Sequence, residues 1–522
     1  MEADLILRGG LILTMNPAKP VAKAVAIKNG KIIEVGEEAE VIKYKGADTK
    51  VIDLMGKTVV PGFIDTHVHL LDFAKVLAWL DLSDAASIEE IKNKVRLKAQ
   101  GVPKGRWILG RGWHEKRLKE KRPPNAIDLD EVTPDNPVVL YRSEGRVCVA
   151  NSMALMLAGI NSETKSPPGG EICKDPSGNP NGVLIESATD LVWRVIPEQS
   201  LEEILENIDV AFRKIIENGI TSIHWIVSSP GEKKIVSWLA KRGRLPVRVK
   251  LIVPEHMLED FIELGDLCND IKLGGVIIFA DGSLAAGTAA LSSPYVNQPE
   301  NMGSLHYTRE SLADAITKIR RSGLQAVVHA MGDRAVKEVL MAIKETTLLS
   351  SMINHRYRIE NAAVLNRELV DQMKSLGVVI SIQPYLIFSE FAIWSALNRL
   401  GYDRARWLYP LRTLIDSGII VAAGSDCPME PLNPFVQMKA AVARSFFPEE
   451  KITIKEALQM FTINAAYVSF EEDVKGSIER GKLADLTVLS ENPMDIPPEK
   501  LDNIKVEMTI VDGKIVYQAC NG

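Results

Sequence analysis

The middle of the chain alternates short apolar runs with amphipathic segments, and this alternation restricts the possible folds most strongly. Eight candidate strands occur at Thr58–Thr66, Ile220–Ile226, Pro246–Val253, Gly274–Ala280, Leu324–His329, Tyr357–Asn361, Gly377–Gln383 and Gly418–Gly424. Intervening segments such as Glu310–Arg321, Arg334–Glu345 and Arg367–Leu376 repeat apolar residues at three- and four-residue intervals, as helices packed on a sheet require. Eight strands alternating with helices predict an α/β fold, a closed parallel (β/α)₈ TIM barrel.

Both ends of the chain differ from this middle because they are rich in short strands separated by turns. Residues 1–60 contain β runs and an Asn29–Gly30 turn, which is typical of a tight hairpin. Residues 475–522 have the same character. We predict that 1–60 and 475–522 form one small β domain and that 61–474 form the barrel.

The range assigned to the barrel exceeds the roughly 250 residues typical of this fold. The excess lies between the first and second strands, at about residues 72–205, and contains helical pieces and a Gly/Pro-rich stretch. That stretch predicts a hairpin with the turn Asp175–Gly178. We expect this insertion to lie over the mouth of the barrel.

Composition and charge exclude several functional classes. The 522 residues are 46% hydrophobic and 25% charged, as in ordinary soluble proteins, and apolar runs such as Gly418–Gly424 are too short to span a membrane. A net charge of −6 provides no basis for nucleic-acid binding. Five scattered cysteines form no Cys-x-x-Cys pair, and the start Met1–Asp4 does not have the character of a signal peptide. These features predict a cytoplasmic protein.

The sharpest motif is Pro61-Gly-Phe-Ile-Asp-Thr-His-Val-His69, at the end of the first candidate strand. Strand alternation places Asp65, His67 and His69 on one face, where two imidazoles two residues apart can bind a single cation. The alternative is a polar face turned to solvent. The apolar residues before the motif favour a buried strand, and pairing two of only eight histidines by chance is improbable.

Two further residues follow later strands at positions where barrel enzymes hold their catalytic groups. His329 ends Leu324–His329, although a histidine there can also be a hydrogen-bonded core residue. Asp426 follows the apolar run Val421–Gly424 and needs a partner if it is buried, although it can also cap a turn or helix. Together with His67 and His69 they supply nitrogen and oxygen ligands suited to zinc or a similar divalent ion.

Taken together, the motifs resemble the amidohydrolase superfamily, specifically the amidohydrolase family 3 group that includes N-substituted formamide deformylases. Besides the His-x-His strand, the matching segments occur in the same order over nearly the whole chain: Gly105–Trp113, Phe279–Ser283, Val328–Arg334, Gly424–Pro428 and Gly476–Leu486. The resemblance implies a metal-dependent hydrolase on a (β/α)₈ barrel, with a composite β-sandwich formed by both chain ends.

Three positions depart from the pattern of the family. Ile277 occupies the fourth-strand slot that usually holds a metal-bridging Lys, Asn361 replaces the His that follows the sixth strand, and Arg146 replaces a His of the insertion. An aliphatic side chain cannot bridge metals, and an amide is a poor zinc ligand. The resemblance therefore implies one tightly held divalent metal per chain, with Zn²⁺ expected; a second metal is left open.

The resemblance also implies a reaction, the hydrolysis of a non-peptide C–N (amide) bond of a small molecule by metal-activated water. Asp426 is then the general base, and Asn361 can donate a hydrogen bond to the oxyanion. The residues expected to line the substrate pocket, each with a purely structural role as its alternative, are Trp113, Arg146, His224, Asp281 and Gln383.

Two other functions remain open at this point. One is a mononuclear-metal deaminase of a heterocycle with the same four ligands. The other is a catalytically impaired ligand-binding relative, motivated by the departures at Ile277 and Asn361. The expected partner is a small-molecule substrate, neither a nucleic acid nor a membrane, and a homo-oligomer is left open.

Overall fold

A parallel sheet of eight strands forms the centre of the structure. The computed structural model describes residues 1–143, 145, 147–197, 199–243, 245–264, 268–348 and 356–520. The strands of the central sheet are β1 (Phe63–Val68), β2 (Ile220–Ile226), β3 (Arg248–Pro254), β4 (Ile271–Phe279), β5 (Gln325–Ala330), β6 (Arg358–Asn361), β7 (Val379–Ile382) and β8 (Val421–Ala423). Each strand pairs with the next from β1 to β8.

The two edges of this sheet meet just beyond their paired residues. A parallel bridge joins Val68 of β1 to Cys427, which follows β8. The amide of Asp426 donates to the carbonyl of His67 (2.7 Å), and the amide of His69 donates to the carbonyl of Cys427 (2.9 Å). The predicted parallel (β/α)₈ arrangement is therefore confirmed as a near-closed barrel, with residues of both end strands meeting at one place.

The first predicted strand, Thr58–Thr66, is wrong as a single element. Thr58–Pro61 belongs to another sheet, and β1 begins at Phe63. Gly62 separates them, and a β-carbon at Gly62 would lie 2.3 Å from the side chain of Thr221. The apolar run is continuous across both strands, so hydrophobic patterning alone could not locate the change of sheet.

Helices follow most barrel strands. They are Leu70–Leu77, Leu201–Glu217, Glu232–Arg242, Leu258–Ile262, Arg309–Arg321, Asp333–Leu348, Arg367–Leu376, Leu386–Phe388, Ala396–Ala405, Leu411–Asp416, Pro434–Val442, Ile454–Met460 and Ile463–Val468. Helix Arg309–Arg321 shows why these segments are helical, because its buried residues Leu312, Ile316 and Ile319 recur every three or four positions. The side chain of Thr308 caps its first turn by accepting from the amide of Ser311.

Strands from both chain ends form two further sheets. One sheet has the order Lys31–Gly36, Ala24–Lys28, Leu5–Arg8, Lys50–Asp53. The other has the order Lys514–Gln518, Val506–Val511, Leu486–Leu489, Thr58–Pro61, Leu11–Leu13, Val21–Ala22. One apolar cluster contains residues of both sheets, among them Leu7, Val25, Ile12 and Leu486. In the predicted hairpin, Asn29 and Gly30 adopt φ of 49° and 74°, as a tight turn requires.

The chain divides into two compact units, one holding Met1–Leu70 with the chain from Ala211 onward and the other holding Leu71–Val210. The second unit contains a six-stranded sheet in the order Gly170–Lys174, Pro180–Glu186, Val147–Ala150, Val138–Arg142, Ile108–Trp113, Leu80–Asp81. The predicted hairpin with its turn at Asp175–Gly178 is confirmed. The helical pieces expected there are Ile88–Gln100, Ala126–Asp130, Ser152–Leu157 and Thr189–Trp193.

The remaining short elements are the helix Glu38–Val41, a π-helical turn at Ser389–Ile393 and six-residue or shorter 3₁₀ turns. The 3₁₀ turns are Ile42–Tyr44, Glu255–Met257, Pro448–Glu450, Pro493–Asp495 and Pro498–Asn503. Among the described residues, no helix combines the length and the apolar character that crossing a membrane demands.

Candidate metal centre

The end of strand β1 is irregular at its first histidine. Thr66 and His67 together lie opposite the single residue His224 of β2, which defines a β-bulge. The hydroxyl of Thr66 bonds with Ser381 of β7 (2.8 Å), while the ring of His67 reaches Glu360 of β6 (2.8 Å). The regular alternation expected from the sequence is therefore wrong at this point, because the bulge interrupts it.

Three of the four predicted metal ligands converge at this end of the barrel. One nitrogen each of His67 and His69 and one carboxylate oxygen of Asp426 all lie within 4.8 Å of one another. Oδ1 of Asp426 is 3.3 Å from Nε2 of His69 and 3.7 Å from Nε2 of His67. The His67 side chain is only 6% exposed, against 18% for His69 and 21% for Asp426, so the cluster opens toward solvent on the side of the latter two.

Backbone geometry brings β8 close enough to β1 for this convergence. Asp426 has a positive φ of 62°, which turns the chain directly after β8. A β-carbon at Gly424 would lie 2.4 Å from the backbone nitrogen of His67 and 2.7 Å from its β-carbon. Only glycine permits this approach, which explains its place in the Gly424-Ser-Asp motif.

The carboxylate of Asp65 lies beneath the cluster and braces both strands. Its Oδ1 accepts from the amides of Ser425 (2.8 Å) and His67 (3.1 Å). Burial raises the pKa of Asp65 to about 6, against the lowering effect of these hydrogen bonds. Asp65 thus stabilises the junction of β1 and β8 from which the three candidate ligands project.

Glu360 of β6 contacts the nitrogen of His67 that lies away from Asp426. Its Oε2 lies 2.8 Å from Nδ1 of His67, and its carboxylate also accepts from Arg358 and from Nε2 of Gln383 (3.2 Å). Burial alone would raise the pKa of Glu360, but the charges of Arg358 and His67 and their hydrogen bonds lower it to about 2. An ionised carboxylate only accepts, so Nδ1 of His67 carries the proton.

The other nitrogen of the ring, Nε2, faces the carboxylate of Asp426 at 3.7 Å. Two imidazole nitrogens and one carboxylate oxygen in such an arrangement form the donor set of a zinc-type site. The residues present therefore fit a divalent cation.

A buried guanidinium extends this network across the barrel interior. Arg358, which is fully buried, donates through Nη1 to Nδ1 of His224 (2.9 Å) and through Nη2 to the carbonyl of Thr66 (2.5 Å). Burial, and next the charge of Arg358, lower the pKa of His224 well below its ordinary value, so this ring is neutral. Nε2 of His224 is buried without a hydrogen-bond partner in the described part of the chain.

His329 lies on β5 but outside the three-residue group. Its Nδ1 is 3.7 Å from Oδ1 of Asp281 and has no hydrogen-bond partner among the described residues. Burial lowers the pKa of His329, while the charges of Asp281, His67 and Asp426 also act on it. The fourth predicted ligand is therefore near the cluster but does not belong to it in this structure.

Asp281 mainly braces the two loops that follow β4 and β5. Its carboxylate accepts from the amides of Ala290, Met331 and Gly332, each at 2.9 Å. Burial raises the pKa of Asp281. These bonds give the carboxylate a structural role, which was the alternative to its prediction as a pocket residue.

The remaining predicted barrel residues occupy different surroundings. Asn361 ends β6 with a φ of 68° and is 7% exposed. Gln383 is buried, and its Oε1 has no partner in the described part of the chain. Ile277 packs in a buried apolar cluster with Ile226, Ile252 and Val327. A charged side chain in place of Ile277 would be costly to bury among these apolar residues.

Two predicted pocket residues belong to the range 72–205. Trp113 is fully buried in the apolar core of the second unit and donates through Nε1 to the carbonyl of Leu140 (2.9 Å). These contacts account for Trp113 as a packing residue. Arg146 lies outside the described residues.

Three residues of this site, Glu360, Arg358 and Asp65, have no role among the expectations drawn from the sequence. A signal was present in Arg358-Ile-Glu360, because two opposite charges two residues apart on one short strand indicate an ion pair on one face. Its partner His67 lies 293 positions away, so only the fold reveals the contact.

Comparisons with known proteins agree with this geometry. The family model described as "Amidohydrolase family" matches residues 50–517. The protein YtcJ of Bacillus subtilis is 33% identical over 98% of this chain and 99% of its own length. An N-substituted formamide deformylase of Arthrobacter pascens is 30% identical over 99% of this chain and 98% of its own length.

A solved structure also matches the fold. It is the crystal structure of an uncharacterized metal-dependent hydrolase from Pyrococcus furiosus, with a TM-score of 0.76 and 30% identity over 94% of this chain and 100% of that one. The resemblance inferred from the sequence motifs is confirmed. The chain belongs to the amidohydrolase family and is a metal-dependent hydrolase of that superfamily.

Proposed function

We propose that this protein hydrolyses a non-peptide C–N bond, an amide, in a small-molecule substrate with the help of one bound divalent metal ion. The observation that carries the proposal is the convergence of His67, His69 and Asp426 where the first and last barrel strands meet. A His-His-carboxylate set at the carboxyl ends of barrel strands is placed where this fold holds its chemistry.

The metal is Zn²⁺, one per chain, held by His67, His69 and Asp426, with His329 as the fourth donor. The charges of His67 and Asp426 act on His329, which supports its proximity. The apolar cluster around Ile277 supports a single metal, because no charged side chain occupies that slot. When bound, the ion acidifies a water molecule and polarises the scissile carbonyl.

The protein residues then divide the remaining tasks. Asp426 takes the proton of the attacking water and delivers it to the leaving nitrogen, for which its partly exposed carboxylate is accessible. Asn361 donates an N–H to the developing oxyanion. We assign His224 and Gln383 to the polar side of the pocket, because each has a buried polar atom without a partner in the described part of the chain.

The first substrate class to test is the N-substituted formamides, because one full-length relative is named as a deformylase of that class. We expect turnover of an N-substituted formamide, or of a related small amide, with release of a carboxylate and an amine. Activity should be lost with a chelator and restored by Zn²⁺. The carboxylate and the amine are quantified separately.

Product identity distinguishes the alternatives. Ammonia released from a heterocycle, without a carboxylate, would replace the amide proposal with a deaminase. An absence of turnover over a broad panel, in protein shown to hold metal, would identify a ligand-binding relative. Asp426→Asn is the control, since genuine turnover must disappear in that variant while contaminating activity persists.

Two broader features belong to the same proposal. The two sheets built from the chain ends, which share an apolar cluster, act as one composite β-sandwich. The enzyme works in the cytoplasm, which its five free cysteines support.

A further inference from the structure

Glu360 of β6 forms the one hydrogen bond to the inner nitrogen of His67 that the described residues provide. An imidazole can present either nitrogen to a metal, and its other nitrogen decides which one is available. We propose that Glu360 is a positioning residue, which selects Nε2 of His67 as the metal-binding atom and holds the ring against Asp426. This inference rests on the proposed metal site.

The carboxylate of Glu360 is itself rigidly held. It is fully buried and receives three donors, from His67 at 2.8 Å, from Gln383 at 3.2 Å and from the guanidinium of Arg358. Rotation of the carboxylate would break contacts that no water could easily replace in this interior. Glu360 can therefore fix the His67 ring to one orientation.

Arg358 ties the same carboxylate to the backbone that carries the ligand. Its Nη2 donates to the carbonyl of Thr66, the residue directly before His67. The guanidinium is planar, with donors in a fixed geometry, so it sets the distance between Glu360 and the bulge of β1. His67 is thus held twice, through its ring by Glu360 and through its preceding peptide by Arg358.

This arrangement matters because few groups hold the metal. The cluster identified among the described residues has only three members, His67, His69 and Asp426. Rotation of the His67 ring would therefore misplace one of the three identified metal ligands. Partners of this kind typically contribute about 10- to 100-fold in metal affinity.

The test compares Glu360→Gln with wild type by Zn²⁺ competition against a chelator and by the visible spectrum of the Co²⁺-substituted protein. Glu360→Asp is the second variant, because it keeps the charge opposite Arg358 but withdraws the carboxylate from His67. Ser381→Ala is the matched control, since the Ser381 hydroxyl bonds with Thr66 and Arg358 in the same interior, whereas Ser381 meets Glu360 only through the strand pairing that alanine keeps. Circular dichroism of the metal-free proteins reports folding.

We expect both Glu360 variants to lose about 10- to 100-fold in Zn²⁺ affinity with an altered Co²⁺ spectrum, and Ser381→Ala to stay within about 2-fold of wild type. If Glu360→Gln does not fold, Glu360→Asp decides the question. Wild-type affinity in a folded Glu360 variant, or an equal loss in Ser381→Ala, would overturn the inference. Absence of metal binding by wild type would instead refute the proposed function.

Discussion

Gly424→Ala should disturb the metal centre although Gly424 is not itself a ligand. The new β-carbon would lie 2.4 Å from the backbone nitrogen of His67. Non-bonded heavy atoms sit roughly 3.5 Å apart, so β8 and β1 must separate by about 1 Å. Metal–ligand distances tolerate only about 0.2 Å, and His67 and Asp426 lie on opposite sides of this junction. We expect at least about a tenfold loss of Zn²⁺ affinity, with about 1–3 kcal/mol of destabilisation from overpacking.

Zn²⁺ competition against a chelator measures the first effect, and denaturant unfolding of the metal-free protein measures the second. Gly231→Ala is the matched control, because Gly231 has an ordinary φ of −60° and the nearest atom to its new β-carbon is 3.9 Å away. Unchanged Zn²⁺ affinity in Gly424→Ala would show that the close approach of the two strands does not position the ligands, and would refute the reasoning.

Three other substitutions test separate parts of the account. Asp426→Asn should abolish turnover and weaken Zn²⁺ binding while the far-ultraviolet circular dichroism stays unchanged; residual turnover above that of a mock purification lacking the protein would argue against Asp426 as the base. His329→Ala should lower Zn²⁺ affinity at least tenfold if His329 is the fourth donor, and equal affinity would remove it from the ligand set. Burial alone would raise the pKa of Glu471, but Lys475 and Lys250 lower it from 4.5 to about 2. The ionised carboxylate therefore stabilises the folded protein above about pH 4.5, by at most about 3 kcal/mol. This contribution is lost as the pH falls toward 2, so the unfolding free energies of wild type and Glu471→Gln should converge on acidification. The control Glu263→Gln changes an exposed carboxylate and should alter the free energy of unfolding by less than about 1 kcal/mol at any pH. A difference in unfolding free energy between wild type and Glu471→Gln that does not narrow in acid would contradict the lowered pKa of Glu471.

Much of the barrel could be predicted because its strands are continuous apolar runs between turn residues. Ile220–Ile226 and Arg367–Leu376 have the bounds that their patterns predict. The split at Gly62 could not be predicted, since both halves of the run are buried and apolar, and only their different pairing partners separate them. The local sequence pattern indicates that a strand is buried, but it does not indicate which sheet the strand joins.

The metal centre could be predicted in part because the barrel topology follows from the order of the strands. His67, His69 and Asp426 end strands of a parallel barrel, so topology alone brings them to one end. The bulge at Thr66–His67 and the contact to Glu360 depend on register across the barrel interior, which no local motif encodes.

Pocket residues were the least predictable part. As an aromatic residue of the insertion, Trp113 is expected in the pocket, yet its surroundings are an apolar core in which its indole nitrogen has a backbone partner. Asp281 follows a barrel strand as expected, but its carboxylate is occupied by three loop amides. A polar or aromatic residue near a strand end is a candidate pocket residue, but its hydrogen-bond partners in the fold show whether its role is structural.

The most direct test of the central claim is the metal content of protein purified without added metal, measured by elemental analysis together with the His67→Ala variant. The account predicts about one equivalent of a divalent ion, with zinc expected, bound to wild type and little bound to the variant. Metal-free wild type that also fails to take up Zn²⁺ would contradict the claim that His67, His69 and Asp426 form a metal centre. Two tightly held equivalents would contradict the single-metal site.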